Sequence, residues 1–365
     1  MIRVLELFAG IGAASKALEN LGIEHEIVDA VEIDKYAIKA FNAIHGTSFE
    51  PQDITMWDKD IECDLIIHGS PCQDYSIAGL QAGGDKGSGT RSSLMYESVR
   101  IIEKLRPKYV IWENVKNLLS KKHRHNFDAY LETMERFGYT NYYQVLDAKN
   151  YGVPQHRERV FTVSIQSDVP YCWAFEFPAR RPLTKRLKDV LEKEVDEKYY
   201  ISSAMMDYFM GVNQRPSKFP RKERFLANIN RANQDIGNSI TTNAGQRPTD
   251  NFVKIITANK TGYDLATDGD GVDLAYPGSE TRRGRVGHGV AKTIPTSSSQ
   301  GVLDGVRIRK LTPRECYRLM GFDDESFDKA SKVISNTQLY KTAGNSIVVD
   351  VLMAIFRELL NGQGS

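Results

Sequence analysis

Over its first 165 residues the sequence alternates short apolar runs with stretches of helical periodicity, a rhythm that few folds accept. "IRVLELF", "VDAVEID", "CDLIIHGS", "KYVIWEN", "YYQVLDA" and "RVFTVSI" read as strands. Between them "GAASKALENLG", "KYAIKAFNAIHG", "LMYESVRIIEKLRP" and "FDAYLETMERFG" read as helices. In the first of these Ala14, Ala17, Leu18 and Leu21 share a face, and Gly22 is placed to stop the helix. Such alternation builds an α/β domain around a largely parallel sheet. Ligands of open parallel sheets bind outside the carboxyl ends of the strands, so the residues just past each strand are where chemistry is to be sought.

From about Ala179 the rhythm is lost. Polar stretches with few periodic helices run to about Gly305, too far for one loop in a compact domain. A second, irregular domain is expected there. Residues 179–310 hold 23 Lys and Arg against 15 Asp and Glu, a balance of +8, although the whole chain carries only +1. A basic segment on an acidic body fits a polyanion held mainly by one part, but a Lys-rich solvated surface gives the same count. Within this span "GNSITTNAGQRPTDNFV" and "VAKTIPTSSSQGVL" share a Thr-flanked isoleucine ahead of a polar turn, either as paired β-elements or by chance. Order returns at "KLTPRECYRLMGF", where Thr312, Pro313 and Glu315 form a capping box with proline at the first helical position. In the final helix Val349, Leu352, Ile355, Phe356 and Leu359 share one face, which suits packing on a core.

Composition excludes several classes. An apolar content of 41% and a charged content of 26% are those of a soluble globular chain. No run of 18 apolar residues exists, so no transmembrane helix is expected. The N-terminus reads as a core strand and not as a signal peptide. Cys63, Cys72, Cys172 and Cys316 form no C-x-x-C pair and no disulfide framework, which argues against zinc and for a reducing cytoplasm.

Two groups of residues fall at strand ends. Gly10 and Gly12 in "LELFAGIGAASKALE" let the backbone turn tightly and approach a ligand. Glu32, 22 positions after Gly10, stands where an acid accepts ribose hydroxyl protons, and Asp53 follows the next expected strand. Taken singly, each serves equally as a turn or cap residue. Together they favour a nucleoside site, and the missing third glycine favours a smaller adenosine cofactor over NAD. Cys72 and Glu113 follow "DLIIHGSP" and "KYVIW" and suggest a thiolate nucleophile with a carboxyl acid/base. Alone, Cys72 is a small apolar residue at a turn and Glu113 a cap or surface carboxylate. Arg157 and Arg159 in "QHRER" alternate, and so share a strand face or line an ion-paired edge.

These residues carry a resemblance. "SPCQDYS", "WENVKN" and "QHRERVF" resemble, in order and spacing, three signature blocks of the DNA (cytosine-5-)-methyltransferases of bacterial and phage type. "ELFAGIG" is similar to that family's S-adenosylmethionine loop, and "RKLTPRECYRLMGF" and "TAGNSIVVDVL" to its late blocks. The resemblance covers roughly residues 2–165 and 307–360. It implies a Rossmann-like catalytic domain at 1–178, a mainly β target-recognition domain at 179–306, and a segment 307–365 that returns to the catalytic domain. Cys72 would add to ring carbon 6 of a flipped-out cytosine, Glu113 would protonate or hydrogen-bond ring nitrogen 3, Arg159 would contact the base carbonyl, and Arg157 would orient Glu113 and the loop. Asn114 would fix local structure.

For the cofactor, Phe8, Gly10, Gly12, Glu32, Ile33, Asp53 and Ile54 match the loop and adenosine contacts. Pro71 and Leu94 match positions near the methionine moiety, and Asn345 and Ser346 the last block. The Gly-rich stretch from Gln73 to Ser93 resembles the family's mobile loop. For DNA the candidates are Gln73, Ser76, Arg91, Arg247, Arg282, Arg283, Arg285 and Thr293, with "SITT" competing with "KTIPT" as a recognition element. The implied cofactor is S-adenosylmethionine, leaving as S-adenosylhomocysteine, with no metal. The implied setting is a monomer on double-stranded DNA, with or without a paired restriction endonuclease, in the cytoplasm of a bacterium or phage-infected host. Two rivals stand beside this: a transfer-RNA cytosine-5 methyltransferase, whose Cys-Phe-Thr motif "YCWAF" does not match, and a catalytically silent DNA-binding relative.

Overall fold

A computed structural model of the chain describes residues 1–71, 91–170, 172–210, 253–277, 279, 281–305 and 307–361. The chain divides into two compact units. One comprises Met1–Val153, Arg157–Leu183 and Met320–Ser365, the other Pro154–His156 and Thr184–Leu319.

In the first unit β1 (Ile2–Leu7), α1 (Ala13–Asn20), β2 (His25–Val31), α2 (Lys35–His45), β3 (Leu65–His68), α3 (Met95–Leu105), β4 (Tyr109–Val115), α4 (Arg124–Arg136) and β5 (Tyr139–Asp147) follow in turn. The two-residue β6 (Gln155–His156) belongs to the second unit, and β7 (Glu158–Gln166) returns to the first. The sheet order is β2-β1-β3-β4-β7-β5. The first four strands are parallel, and β7 runs antiparallel to both its neighbours. This is a Rossmann-like sheet with one reversed strand, and the strands expected from the apolar runs are all present.

One sheet face presents Leu5, Leu7, Ile66, Val110, Trp112 and Val160 to a core completed by Met95, Val99 and Ile102 of α3 and Phe127, Tyr130 and Met134 of α4. Nineteen fully enclosed apolar residues in that cluster make it the main source of this unit's stability, because buried apolar area is the dominant favourable term in folding. The last helices of the chain, α7 (Asp324–Ser331), α8 (Asn336–Asn345) and α9 (Val349–Asn361), belong to the same unit, with α9 against α1 and α7 against α2. Lys16 on α1 reaches Asp323 at 2.8 Å, and Lys341 on α8 reaches Asp34 at 2.6 Å. All five residues of the expected apolar face of α9 are buried.

The second unit is mainly β. It contains α5 (Ser203–Met210), β8 (Val253–Ile256), β9 (Tyr263–Ala266), β10 (Gly271–Asp273), β11 (Val286–Gly287), β12 (Ala291–Lys292), β13 (Gln300–Asp304), β14 (Arg307–Lys310) and α6 (Pro313–Arg318). Its principal sheet runs β11-β10-β13-β14, and β8 pairs with β9. Phe209, Val253, Ile255, Val272, Val286, Leu303 and Ile308 fill its core. The β13–β14 hairpin bonds tie Arg307–Lys310 into this unit, which runs to Leu319. The first of the two Thr-flanked segments lies outside the described residues. Among the described residues no helix is long and apolar enough to cross a membrane.

The capping box at Thr312 is present, and Glu315 does more than cap. Its carboxylate is fully buried against the equally buried Arg309, with bidentate bonds of 2.8 and 2.9 Å, and also accepts the Thr312 and Glu192 amides. Removing Glu315 leaves the buried Arg309 guanidinium with the Lys310 carbonyl and a 3.1 Å contact to the more exposed Asp304. Glu315→Ala should therefore cost about 3–5 kcal/mol, measured by urea unfolding. A cost below about 1 kcal/mol, the range of an exposed pair, would show the pair to be incidental.

Candidate active site

Strands β3 and β4 are parallel and in register, with His68 opposite Trp112. The chain leaving β3 therefore runs beside the end of β4. Trp112 Nε1 donates to Ser70 Oγ at 3.0 Å, and Asn114 Nδ2 donates to the Ser70 carbonyl and hydroxyl, each at 3.3 Å. All three side chains are buried. The backbone entering Pro71 is thus tied down from β4. Asn114 fixes local structure as expected; Trp112 and Ser70 were not singled out from sequence, although both lie inside the signature blocks. Cys72, Gln73, Ser76 and Arg247 lie outside the described residues, as do most of the Gly-rich stretch and the side chain of Arg91.

Glu113 faces the opposite side of the sheet. Its Oε1 lies 3.0 Å from Arg159 Nε, both side chains being mostly buried. The cause is register: Arg159 pairs with Val115 on antiparallel β7, which puts Arg159 and Glu113 diagonally on one face. Arg159 also donates to the Glu158 carbonyl at 2.8 Å. A methyl group at Gly69 would lie 3.7 Å from Glu113 Oε2 and 3.7 Å from Ile347, so the carboxyl rests on the turn that leads to Pro71.

Arg157 sits elsewhere. It occupies the single residue between β6 and β7, and its buried guanidinium donates to the carbonyls of Gly344 and Ser346 at 3.2 and 2.9 Å. Its described hydrogen bonds fasten the end of α8 to the sheet. Ser346 is buried with its carbonyl taken by Arg157, whereas Asn345 is exposed.

The β1–α1 loop is built from left-handed backbone. Phe8, Gly10 and Gly12 have φ of 53°, 57° and 79°. A side chain at Gly12 would meet His45 Nε2 at 2.1 Å and Phe41 at 2.8 Å, so no larger residue fits. His45 sits 3.1 Å from the Ile11 carbonyl, and burial pushes its pKa down to about 4, which leaves a neutral ring to donate there. Nothing lies within 4 Å above Gly10. Glu32 accepts the Gly10 amide at 3.0 Å and the Asp34 amide at 2.8 Å. Burial raises its pKa despite those bonds.

Ile33 is 68% exposed beside it. The Gln52 amide donates to the Glu32 carbonyl, bringing Asp53 and Ile54 alongside. Asp53 is exposed and caps its turn through Thr55, while Ile54 is buried. Leu94 packs against the main core, and Pro71 is half-buried. A carboxylate with free lone pairs, an exposed aliphatic face and an open glycine turn together fit an adenosine-bearing cofactor. Among the described residues no cluster of three His, Cys, Asp or Glu forms a metal site.

The candidate DNA readers of the second unit divide. Arg283 is exposed. Arg282 pairs with Asp273. Thr293 gives its hydroxyl proton to the His156 carbonyl at 2.9 Å. Arg285 is 1% exposed and bonded to backbone carbonyls, so its guanidinium faces inward.

Glu6 was missed in the sequence. Gly12 offers α1 no side-chain cap, and Glu6 on β1 supplies the acceptor instead, taking the Ser15 amide at 3.0 Å and its hydroxyl. Burial holds its proton up to about 7, against an ordinary value of 4.5. The folded state binds that proton more tightly, so this contribution is intact below about pH 4.5 and lost as pH rises through about 7. The difference corresponds to about 3 kcal/mol. Wild type should lose about that much unfolding free energy relative to Glu6→Gln between pH 4.5 and 8. Parallel pH profiles in urea titrations would count against it.

Comparison with known proteins converges on one family. The model for C-5 cytosine-specific DNA methylases matches residues 2–361. Orphan methyltransferase M.SPRI of Bacillus phage SPR is 33% identical over 99% of this chain and 98% of that protein. Type II methyltransferase M2.ScrFI of Lactococcus lactis subsp. cremoris is 32% identical over the full length of both. The crystal structure of S. pombe Dnmt2 methyltransferase shares the fold, with a TM-score of 0.61 and 18% identity over the whole of both chains. With a Gly-rich cofactor loop, a Glu113–Arg159 pair and a family match along nearly its whole length, the chain belongs to the C-5 cytosine-specific DNA methylases and is a DNA (cytosine-5) methyltransferase.

Proposed function

We propose that the protein methylates carbon 5 of a cytosine flipped out of a specific duplex sequence, through a covalent bond to Cys72. The observation that carries this reading is Glu113 held by Arg159 against the turn that leads to Pro71 and Cys72. Carbon 5 of cytosine is a poor nucleophile. Addition of the Cys72 thiolate to carbon 6 makes the ring an enamine, and Glu113 offsets the charge that develops at nitrogen 3 by giving it a proton or hydrogen bond. Arg159 keeps the Glu113 carboxyl aimed and donates to the base carbonyl. S-adenosylmethionine, when bound, supplies the electrophilic methyl group. Gly10, Glu32, Ile33, Asp53 and Ile54 hold it at the edges of β1 and β2. Loss of the carbon-5 proton and departure of Cys72 restore the ring. None of these atoms is reachable inside a stacked duplex, hence the flipped base.

Labelled methyl groups should pass to duplex DNA and not to transfer RNA; label in RNA alone would overturn the choice of substrate. Duplex containing 5-fluorocytosine should trap wild type covalently, and an equal adduct with Cys72→Ala would refute the nucleophile. Glu113→Gln should lower kcat by about 10²–10⁴, with cofactor binding retained. A rate near wild type would remove Glu113 from the chemistry.

A further inference from the structure

A residue beside each end of helix α2 takes hold of the β1–α1 loop. Ahead of the helix, Glu32 accepts the Gly10 amide at 3.0 Å and the amide of Asp34, the residue that caps α2 through Tyr36. At the far end His45 is the last helical residue, and its Nε2 lies 3.1 Å from the Ile11 carbonyl. A carbonyl only accepts, so Nε2 carries the proton and donates it there. The amide of Gly10 and the carbonyl of Ile11, one residue apart, are thus held by a carboxylate and an imidazole from the two ends of one helix. No sequence motif singles out His45.

The imidazole is itself fixed. It packs on Phe41 with ring centroids 4.7 Å apart, and Phe41 is fully buried with Ala30 and Ile38. It also occupies the space that a side chain at Gly12 would need. The loop requires such a hold, because three of its five residues, Phe8, Gly10 and Gly12, have left-handed φ. That region is unfavourable for Phe8, and the two glycines lose more backbone freedom than any other residue when they are ordered. Within the loop, Ala9 donates to the Val31 carbonyl and Gly12 to the Ala9 carbonyl, which leaves the Ile11 carbonyl to His45. The open space above Gly10 lies over the backbone that this bond steadies.

We propose that His45 is a positioning residue for S-adenosylmethionine: by clamping the Ile11 carbonyl it holds the glycine loop in its binding shape before the cofactor arrives. It acts through the loop and not on the cofactor. The proposal rests on the cofactor assignment within the methyl-transfer reading above. A loop set in advance loses little ordering entropy on binding, so the clamp bears on affinity for the cofactor and not on the chemical step.

The test titrates the full chain with S-adenosylhomocysteine by calorimetry and follows amide hydrogen exchange in the loop. His45→Leu removes the donor and keeps much of the packing. It should raise Kd about tenfold and speed exchange at Gly10 and Gly12 in the free protein. KM for duplex DNA, and kcat at saturating S-adenosylmethionine, should stay at wild-type values. His45→Phe is a second variant without the donor and keeps a ring on Phe41, so the test stands if the leucine variant does not fold. His45→Gln, whose side-chain amide donates to the same carbonyl, should recover most of the affinity. A histidine that serves only stability would lower Tm and leave Kd unchanged. Wild-type Kd and exchange in a folded variant without the donor, or equal losses of affinity in the leucine and glutamine variants, would overturn the clamp. A wild type that binds S-adenosylhomocysteine but methylates no DNA would overturn the methyl-transfer reading and leave the clamp to be judged on Kd. A wild type that binds no S-adenosylhomocysteine would overturn the clamp together with the cofactor assignment.

Discussion

The parallel pairing of β3 with β4 is the constraint on which the site depends. Register at His68 and Trp112 brings the chain after β3 to the end of β4. From there the two faces of β4 do different work. Trp112 and Asn114 reach to one side and fix Ser70; Glu113 points to the other and meets Arg159. Period-2 alternation lets three consecutive residues hold Ser70 from one face and Arg159 from the other. A one-residue slip between the strands would exchange the faces and lose both.

The cofactor edge depends on a second economy. Gly12 cannot cap α1, because a side chain there would collide with His45. The helix N-terminus is satisfied from the strand below by Glu6, which leaves the space above the loop free for ligand. Glu32 similarly uses its carboxylate to hold the Gly10 and Asp34 amides, so the group matched to ribose also sets the loop that faces it. A substitution at either glutamate removes an acceptor that this loop and helix use.

Much of this was legible in the sequence because it is local. Strand periodicity, the capping box at Thr312 and the apolar face of α9 depend on residues a few positions apart, and the structure has them where the pattern puts them. The glycine turn after β1 was legible for the same reason, whereas Glu113, expected just past its strand, lies within β4 and is paired with Phe161. The bonds of Arg157 and Arg285 were not legible, because the partners are carbonyls of distant or irregular backbone, which no side-chain pattern announces. Arg309 and Glu315 are near in sequence, yet their burial depends on the β13–β14 hairpin. The pairing of Arg307–Lys310 with β13 is likewise unannounced, since signature blocks mark chemistry and not the hydrogen bonds that assign a strand to a sheet.

Arg157 finds its acceptors at Gly344 and Ser346, 187 and 189 residues further along the chain. Thr184–Leu319, nearly all of the second unit, is made in between. A ribosome must therefore pass Ser346 before β7 can be fastened to α8, however early the first strands form. Contacts of such long sequence separation close late in folding, after their loop entropy has been met. The nascent chain can bury its apolar sheet long before the bonds from Arg157 close.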